Sequence, residues 1–275
     1  MRLLFIGDVV GDIGVACVQA LLPGLITAHR IDFVVCNGEN SHEGRGINEV
    51  ICKRLHKAGV DVITGGDHSF DKHLIFPYMA RHNTLLRPAN YPKGAPGQGF
   101  GLYETAKGIQ VGVINLRGNT FFQNPVNCPF TVADRLIQDL GTHAQVIFMD
   151  FHAEATAEKK AMGWYVDGRI SALCGTHTHV QTADEQVLPH GTGYLTDAGF
   201  TGPHHSVIGM DIETAITRFR IQIPQRYKLA EEAPMLHAAI FDLDEKTGKT
   251  RSIQRLSEVA KLEIPAGTEA QTDTP

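Results

Sequence analysis

The chain has 275 residues, 43% of them hydrophobic and 20% charged, with a formal net charge of −5. These values suit a globular protein with a sizeable core, and Lys and Arg are scattered without a basic cluster, so no polymeric nucleic acid is expected as a partner. The five cysteines, Cys17, Cys36, Cys52, Cys128 and Cys174, are odd in number and mostly lie in apolar runs, which reads as reduced core thiols in a cytoplasmic protein.

The N-terminal MRLLFIGDVVGD has an apolar stretch broken by Asp8 and no small-residue cleavage site, so it does not read as a secretory signal. No stretch approaches membrane-spanning length, and no membrane partner is expected. The first 64 residues alternate: the strand RLLFI, a helix from Ile13 to His29, the strand DFVVCN, the helical GINEVICKRLHKAG and the strand DVITG. Such alternation predicts βαβ units and parallel strands. Pro23-Gly24 is expected to end or kink the first helix. A loop-rich region from Arg81 to Gln98 precedes two β-like runs, FGLYETA and IQVGVINL, joined at Lys107-Gly108 as a hairpin. A helix from Thr131 to Leu140 follows, then the strand QVIFMDF, a helix through EATAEKKAMGWYV, the strand RISALC and a short strand near YLTD. The segment HAAIFDLDEKTGKTRSI reads as a last hairpin turning at Thr247-Gly248, whose GKT lacks the upstream glycine of a phosphate-binding loop. With neither repeats nor a linker in view, residues 1–264 are expected to form one α/β domain, two sheets covered by helices, and 265–275 a polar, disordered tail.

Polar residues recur where these strands end. Asp8 follows RLLFIG, Glu39 and Asn40 follow DFVVCNG, Asp67 and His68 follow DVITGG, His152 ends VIFMDFH, and His177 and His179 follow SALCGT. Open α/β sheets place their ligand crevice at such strand ends. The two histidines of GTHTHV, one residue apart, would converge on one point if that segment were extended with period-two alternation. Three carboxylates and three imidazoles brought together would crowd like charges, and two divalent cations would turn that into coordination. A donor set of carboxylates, an amide and imidazoles without thiolate suits Mn or Fe, with Mg or Zn as alternatives, better than it suits a cysteine-rich structural zinc site.

Each residue also has a simpler reading. Asp8 could shape a strand-to-helix turn, although no G-x-G-x-x-G spacing accompanies it. Glu39-Asn40 could cap a helix starting near Gly46. His152 could be a solvated residue before a helix, and His68 could orient a ligand rather than act directly. His204-His205 is read as rim or surface. An H-x-H pair also marks amidohydrolases, but there it belongs to a first barrel strand, and the hairpins here do not fit a (β/α)₈ barrel. No G-x-S-x-G elbow for a serine nucleophile is present.

The motifs GDVVG, NGEN, GGDHSFD, FHAE and GTHTH stand in the order and spacing of the calcineurin-like metallophosphoesterases, and in detail the chain resembles the bacterial YmdB-type branch that acts on 2′,3′-cyclic nucleotides. The resemblance covers the chain from about Arg2 to the last hairpin. It implies a layered sandwich of two central mixed β-sheets flanked by α-helices, and a cytoplasmic homo-oligomer. It also implies two divalent metal ions per chain, one held by Asp8, Glu39, Asn40 and His179, the other by Glu39, Asp67, His152 and His177, with Glu39 bridging. The implied reaction is phosphodiester hydrolysis by a metal-bridging hydroxide, with His68 as proton donor to the 2′-oxygen of a small nucleotide substrate. The chain departs from the wider pattern twice. Val10 stands where a histidine is usual, with Asn40 supplying the missing ligand, and Asp67 stands where asparagine is usual. Asp67 motivates an alternative, a metal- and nucleotide-binding regulatory protein with incidental phosphoesterase activity. Asn90-Tyr91 and Arg117 to Phe122 are the segments suggested for the base pocket.

Overall fold

The computed structural model describes residues 1–223, 226 and 228–262. The chain first lays down β1 (Arg2–Ile6), β2 (Asp8–Val9), α1 (Gly11–His29), β3 (Phe33–Asn37), α2 (Glu49–Ala58) and β4 (Val62–Thr64). After α3 (Phe76–Arg81) it builds a second sheet from β5 (Phe100–Glu104), β6 (Gln110–Arg117), α4 (Pro129–Gly141), β7 (Val146–His152), α5 (Thr156–Val166), β8 (Ala172–Thr176), β9 (Gln186–Val187) and β10 (Gly193–Leu195). It then returns to the first sheet with β11 (Phe200–Pro203), α6 (Ile212–Ile221), β12 (Pro234–Leu243) and β13 (Thr250–Val259).

Both sheets are mixed. The first runs β2-β11-β12-β1-β3-β4 with β13 beside β12, and the second runs β5-β6-β7-β8-β10-β9. Strands β1, β3 and β4 are parallel, as are β6, β7, β8 and β10, whereas the hairpins β5–β6 and β12–β13 are antiparallel. The two hairpin turns hold Gly108 and Gly248 at φ 76° and 70°, a backbone region open to glycine.

Period-two alternation explains the layering. Leu3 and Phe5 of β1, Val35 of β3, Val113 of β6, Phe148 of β7 and Cys174 of β8 face one another in the core between the sheets. Their neighbours Leu4, Ile6, Val34 and Cys36 face α1 and α2, and Ile114, Met149 and Leu173 face α4 and α5. Strands buried on both faces must be apolar throughout, which is why they read as near-continuous hydrophobic runs. The result is the expected sandwich of two mixed sheets with helices on its outer faces.

Three expectations need correction. Helix α1 runs unbroken through Pro23. The carbonyl that proline frees is that of Gln19, which is exposed, so water can satisfy it. The same 19-residue helix is long and apolar enough to cross a membrane by length and composition, contrary to the expectation for the chain. In the fold its Val15, Val18 and Leu22 pack on Leu4 and Ile6 of the first sheet. The cap of α2 is Asn48, which accepts from the Ile51 N–H at 2.9 Å, so Glu39 and Asn40 are free of that task. The polar tail expected at 265–275 lies outside the described residues.

Candidate metal centre

The face that is apolar between the sheets turns polar at the carboxyl ends of β3, β4, β6, β7 and β8. Val35 gives way to Asn37, Val62 to Thr64, Val113 to Asn115, Phe148 to Asp150 and then His152, and Cys174 to Thr176. All six of these polar residues are buried, so each must find a partner. Asp150 is the hub: its carboxylate accepts from Asn37 Nδ2 at 2.9 Å, Thr64 Oγ1 at 2.6 Å and Thr176 Oγ1 at 2.7 Å. Burial pushes the Asp150 carboxyl up to about 6, against the pull of His152 and of those hydrogen bonds.

Above this tier, one donor atom each from Glu39, Asp67, His152 and His177 lie within 4.8 Å of one another. His152 Nε2 is 3.1 Å from Glu39 Oε1, 3.0 Å from Asp67 Oδ1 and 3.0 Å from His177 Nδ1. The remaining candidates adjoin this group. Asn40 Nδ2 is 3.3 Å from Glu39 Oε1 and 3.2 Å from His179 Nε2, and His179 Nε2 is 3.9 Å from Asp8 Oδ1. As oriented, the Asn40 amide donates to both neighbours, so ligation through Oδ1 requires it to turn over.

Each imidazole has its outer nitrogen tied to an acceptor. His152 Nδ1 donates to Thr176 Oγ1 at 2.9 Å, which itself donates to Asp150; His177 Nε2 meets Glu154 Oε2 at 3.0 Å; and His179 Nδ1 donates to the Ile208 carbonyl at 2.9 Å. Three inner nitrogens are thereby left to present lone pairs to the centre, as metal-binding histidines do. Asp8 Oδ2 accepts the His177 N–H at 3.1 Å, but its buried Oδ1 has no hydrogen-bond partner among the described residues. An orphaned carboxylate oxygen beside inward lone pairs calls for a cation. Burial alone would lower the His152 imidazole, yet Glu39, Asp67 and Asp8 raise it well above the usual histidine range, so its surroundings favour positive charge at this point. Burial likewise raises Asp67, and hydrogen bonds from His152 and His177 outweigh it, leaving the carboxyl far below its usual range. The donor set fits a divalent metal.

All eight residues singled out in the sequence border this one region. The route by which the two loop histidines arrive differs from expectation. His177 and His179 are not alternating positions of an extended segment; they follow β8 with φ 97° and 62°, in left-handed backbone. His68 stands outside the ligand cluster, its backbone N–H on Glu39 Oε2 at 3.0 Å, its Nδ1 3.1 Å from Asp71 Oδ2 and its Nε2 3.7 Å from Asp67 Oδ2. A cavity of about 430 Å³ opens here, walled by Glu39, Asn40, His68, His177 and His179, with Glu154, Arg45 and Arg218 further out.

Of the segments suggested for the base pocket, Asn90 is buried and binds the backbone of Arg117 and Asn127, which is a structural task. Phe122 packs against His177 at 4.9 Å between ring centroids, with the Arg117 guanidinium 4.6 Å from its own ring centre. Of the His204-His205 pair, read as rim or surface, His205 is exposed, and His204 is half-buried, stacked on Phe200, which stacks on His179. Sequence reasoning missed Asp71, Asp150, Glu154 and Thr176. Asp150 carried a signal, since an acid two residues before His152 in an apolar strand must share its face.

A family profile described as YmdB-like protein matches residues 4–256. The chain is 48% identical over 256 residues to a Bacillus subtilis (strain 168) protein named 2′,3′-cyclic-nucleotide 2′-phosphodiesterase, covering 93% of this chain and 96% of that one. Among solved structures, a hypothetical protein from Thermus thermophilus superposes with TM-score 0.88 at 37% identity, covering 95% of this chain and all of that one. A Mycoplasma pneumoniae protein described as a novel phosphatase superposes with TM-score 0.88 at 31% identity, covering 94% of this chain and 93% of that one.

Proposed function

This chain belongs to the YmdB-like family, and on that footing we propose that it is a binuclear metallophosphoesterase hydrolysing phosphodiesters, 2′,3′-cyclic nucleotides foremost. The observation that carries the reading is the convergence of Glu39, Asp67, His152 and His177 with both imidazole lone pairs turned inward. Asp8, Glu39, Asn40 and His179 would hold one divalent cation and Glu39, Asp67, His152 and His177 the other, a donor set suited to Fe or Mn. Bound there, the cations would neutralise phosphoryl charge and acidify an attacking water.

The chain's own residues supply the rest. Asp71 Oδ2, 3.1 Å from His68 Nδ1, would stabilise the doubly protonated imidazolium, whose Nε2–H at the cavity wall is then available to the departing oxygen. For a 2′,3′-cyclic nucleotide that oxygen is O2′, and the product is a 3′-monophosphate. Arg45 and Arg218 line the same cavity and favour an anionic substrate. Phe122, beside His177, offers an aromatic face to a nucleobase.

Reconstitution with Mn(II), elemental analysis and turnover on a panel of cyclic nucleotides and linear diesters test the proposal. The expected result is close to two ions per chain and fastest turnover on a 2′,3′-cyclic nucleotide. Zero bound metal with no activity gained would overturn it. Tight nucleotide binding by the metal-loaded protein without turnover would replace hydrolysis with the regulatory role.

A further inference from the structure

The two loop histidines occupy left-handed backbone that side chains rarely adopt, so the surrounding structure must hold them there. The residue between them is what is gripped. Thr178 donates its backbone N–H at 3.2 Å and its hydroxyl at 2.7 Å to the same oxygen, Asp197 Oδ2. That oxygen also accepts from Lys159 Nζ at 2.6 Å, and Asp197 Oδ1 accepts the Gly199 N–H at 2.8 Å. Lys159 comes from the buried face of α5 and Asp197 from just beyond β10, and both side chains are out of contact with solvent. The lysine stem runs past Gly175 in β8, where a Cβ would lie 2.9 Å from its Cδ. Three segments distant in sequence thus meet on one carboxylate directly behind the histidine loop.

Burying a lysine and an aspartate is a poor way to stabilise a fold, because desolvation offsets their attraction, and well-packed apolar residues often do as well or better. What apolar residues cannot provide is a fixed anionic acceptor for the two Thr178 donors. We propose that the Lys159–Asp197 pair is a positioning device for the metal centre: Lys159 supplies the counter-charge, Asp197 clamps Thr178, and the clamp aims His177 Nδ1 and His179 Nε2 inward. Neither member touches the reacting atoms. The inference rests on the metal-centre reading, which wild-type binding tests separately.

The test is calorimetric titration of Mn(II) into metal-free protein, with thermal melting of the same samples. The double variant Lys159→Met/Asp197→Leu removes both charges together, so no buried ion is left unpaired. It is expected to fold, with a melting temperature lowered by the acceptor lost to Thr178 and Gly199, yet bind Mn(II) on the order of 10- to 100-fold more weakly, the range seen when groups supporting a metal ligand are lost. Should the double variant not fold, Thr178→Val and Thr178→Ser decide. Valine, lacking the hydroxyl, should weaken Mn(II) binding several-fold, and serine, which keeps it, should restore wild-type affinity. Wild-type affinity in a folded double variant, or equal affinity in the valine and serine variants, would overturn the positioning role. Failure of the wild type itself to bind Mn(II) would instead overturn the metal centre.

Discussion

Asp67 is the position at which the chain departs from the pattern it otherwise resembles, and Asp67→Asn is the sharpest perturbation of the proposed centre. Asp67 Oδ1 stands 3.0 Å from His152 Nε2 and 3.4 Å from His177 Nδ1, so it occupies a ligand's place. In the proposed centre it would, with Asp8 and Glu39, set three carboxylates against two divalent ions, leaving about one unit of positive charge to attract a phosphodiester; asparagine would leave about two. Two unit charges roughly 4 Å apart interact by about 4 kcal/mol at an effective dielectric of ~20, a ceiling that ligand relaxation and water reduce. We expect the asparagine variant, which keeps a neutral oxygen donor, to hold its metal on the order of 10- to 100-fold more weakly, equivalent to about 1.4 to 2.8 kcal/mol. Once metal is saturating, KM for the diester should fall and turnover should persist. Metal titration by calorimetry and steady-state kinetics at saturating Mn(II) read both effects. Unchanged metal affinity together with unchanged KM would refute the charge argument and place Asp67 outside the coordination sphere.

Gly66→Ala should abolish metal binding while leaving the fold, since a Cβ there would lie 2.2 Å from Glu39 Oε2 and 2.4 Å from His152 Nε2; full metal content in the alanine variant would contradict this. His68→Ala should keep its metals, lose about 10²- to 10⁴-fold in rate on a cyclic nucleotide, and lose far less on a nitrophenyl diester whose leaving group needs no proton; equal losses would make His68 a positioning group. Burial raises Asp184, but hydrogen bonds from Thr196, Lys160 and Thr182 outweigh it and hold its carboxyl down at about 2. Because its folded value lies below the unfolded ~3.9, its contribution, about 1 kcal/mol after discounting for solvent screening, is present above pH ~4 and lost as pH falls toward 2. The stability gap between wild type and Asp184→Asn in urea should therefore narrow from pH 7 to pH 3, and a constant gap would count against the ion pair.

The strands and most helices were legible because burial on both faces leaves an apolar signature and because Gly108 and Gly248 punctuate the hairpins. The candidate ligands were legible because each stands at a strand end. What was not legible is set by non-local contacts. Pro23 reads as an end or a kink, yet the helix continues through it, and Gln19, whose carbonyl loses its helical partner there, is an exposed residue. GTHTHV reads as extended, yet both histidines take positive φ under a grip from Asp197, twenty residues away from the first of them. The Thr176–Asp150 link behind His152 joins two strands whose pairing the sequence does not print.

Core and centre are one surface in this protein. The pleat that buries Val35, Val113, Phe148 and Cys174 between the sheets presents Asn37, Asn115, Asp150 and Thr176 one repeat further on, and the ligands stand just beyond. Strands β3, β7 and β8 therefore each carry an apolar anchor, a buried polar residue that fixes the strand end, and a candidate donor at or just beyond it, whereas β6 carries Asn115 without one. His152 shows the chain of cause in full: Phe148 seats β7 against Phe5, Asp150 binds three neighbouring strands, and Thr176 relays that hold to the imidazole. Rigid packing resists displacement, so ligands mounted this way are preorganised. The histidine loop leaves β8 after Thr176 and turns in left-handed backbone, so strand pairing no longer holds it and the Asp197 carboxylate on Thr178 does.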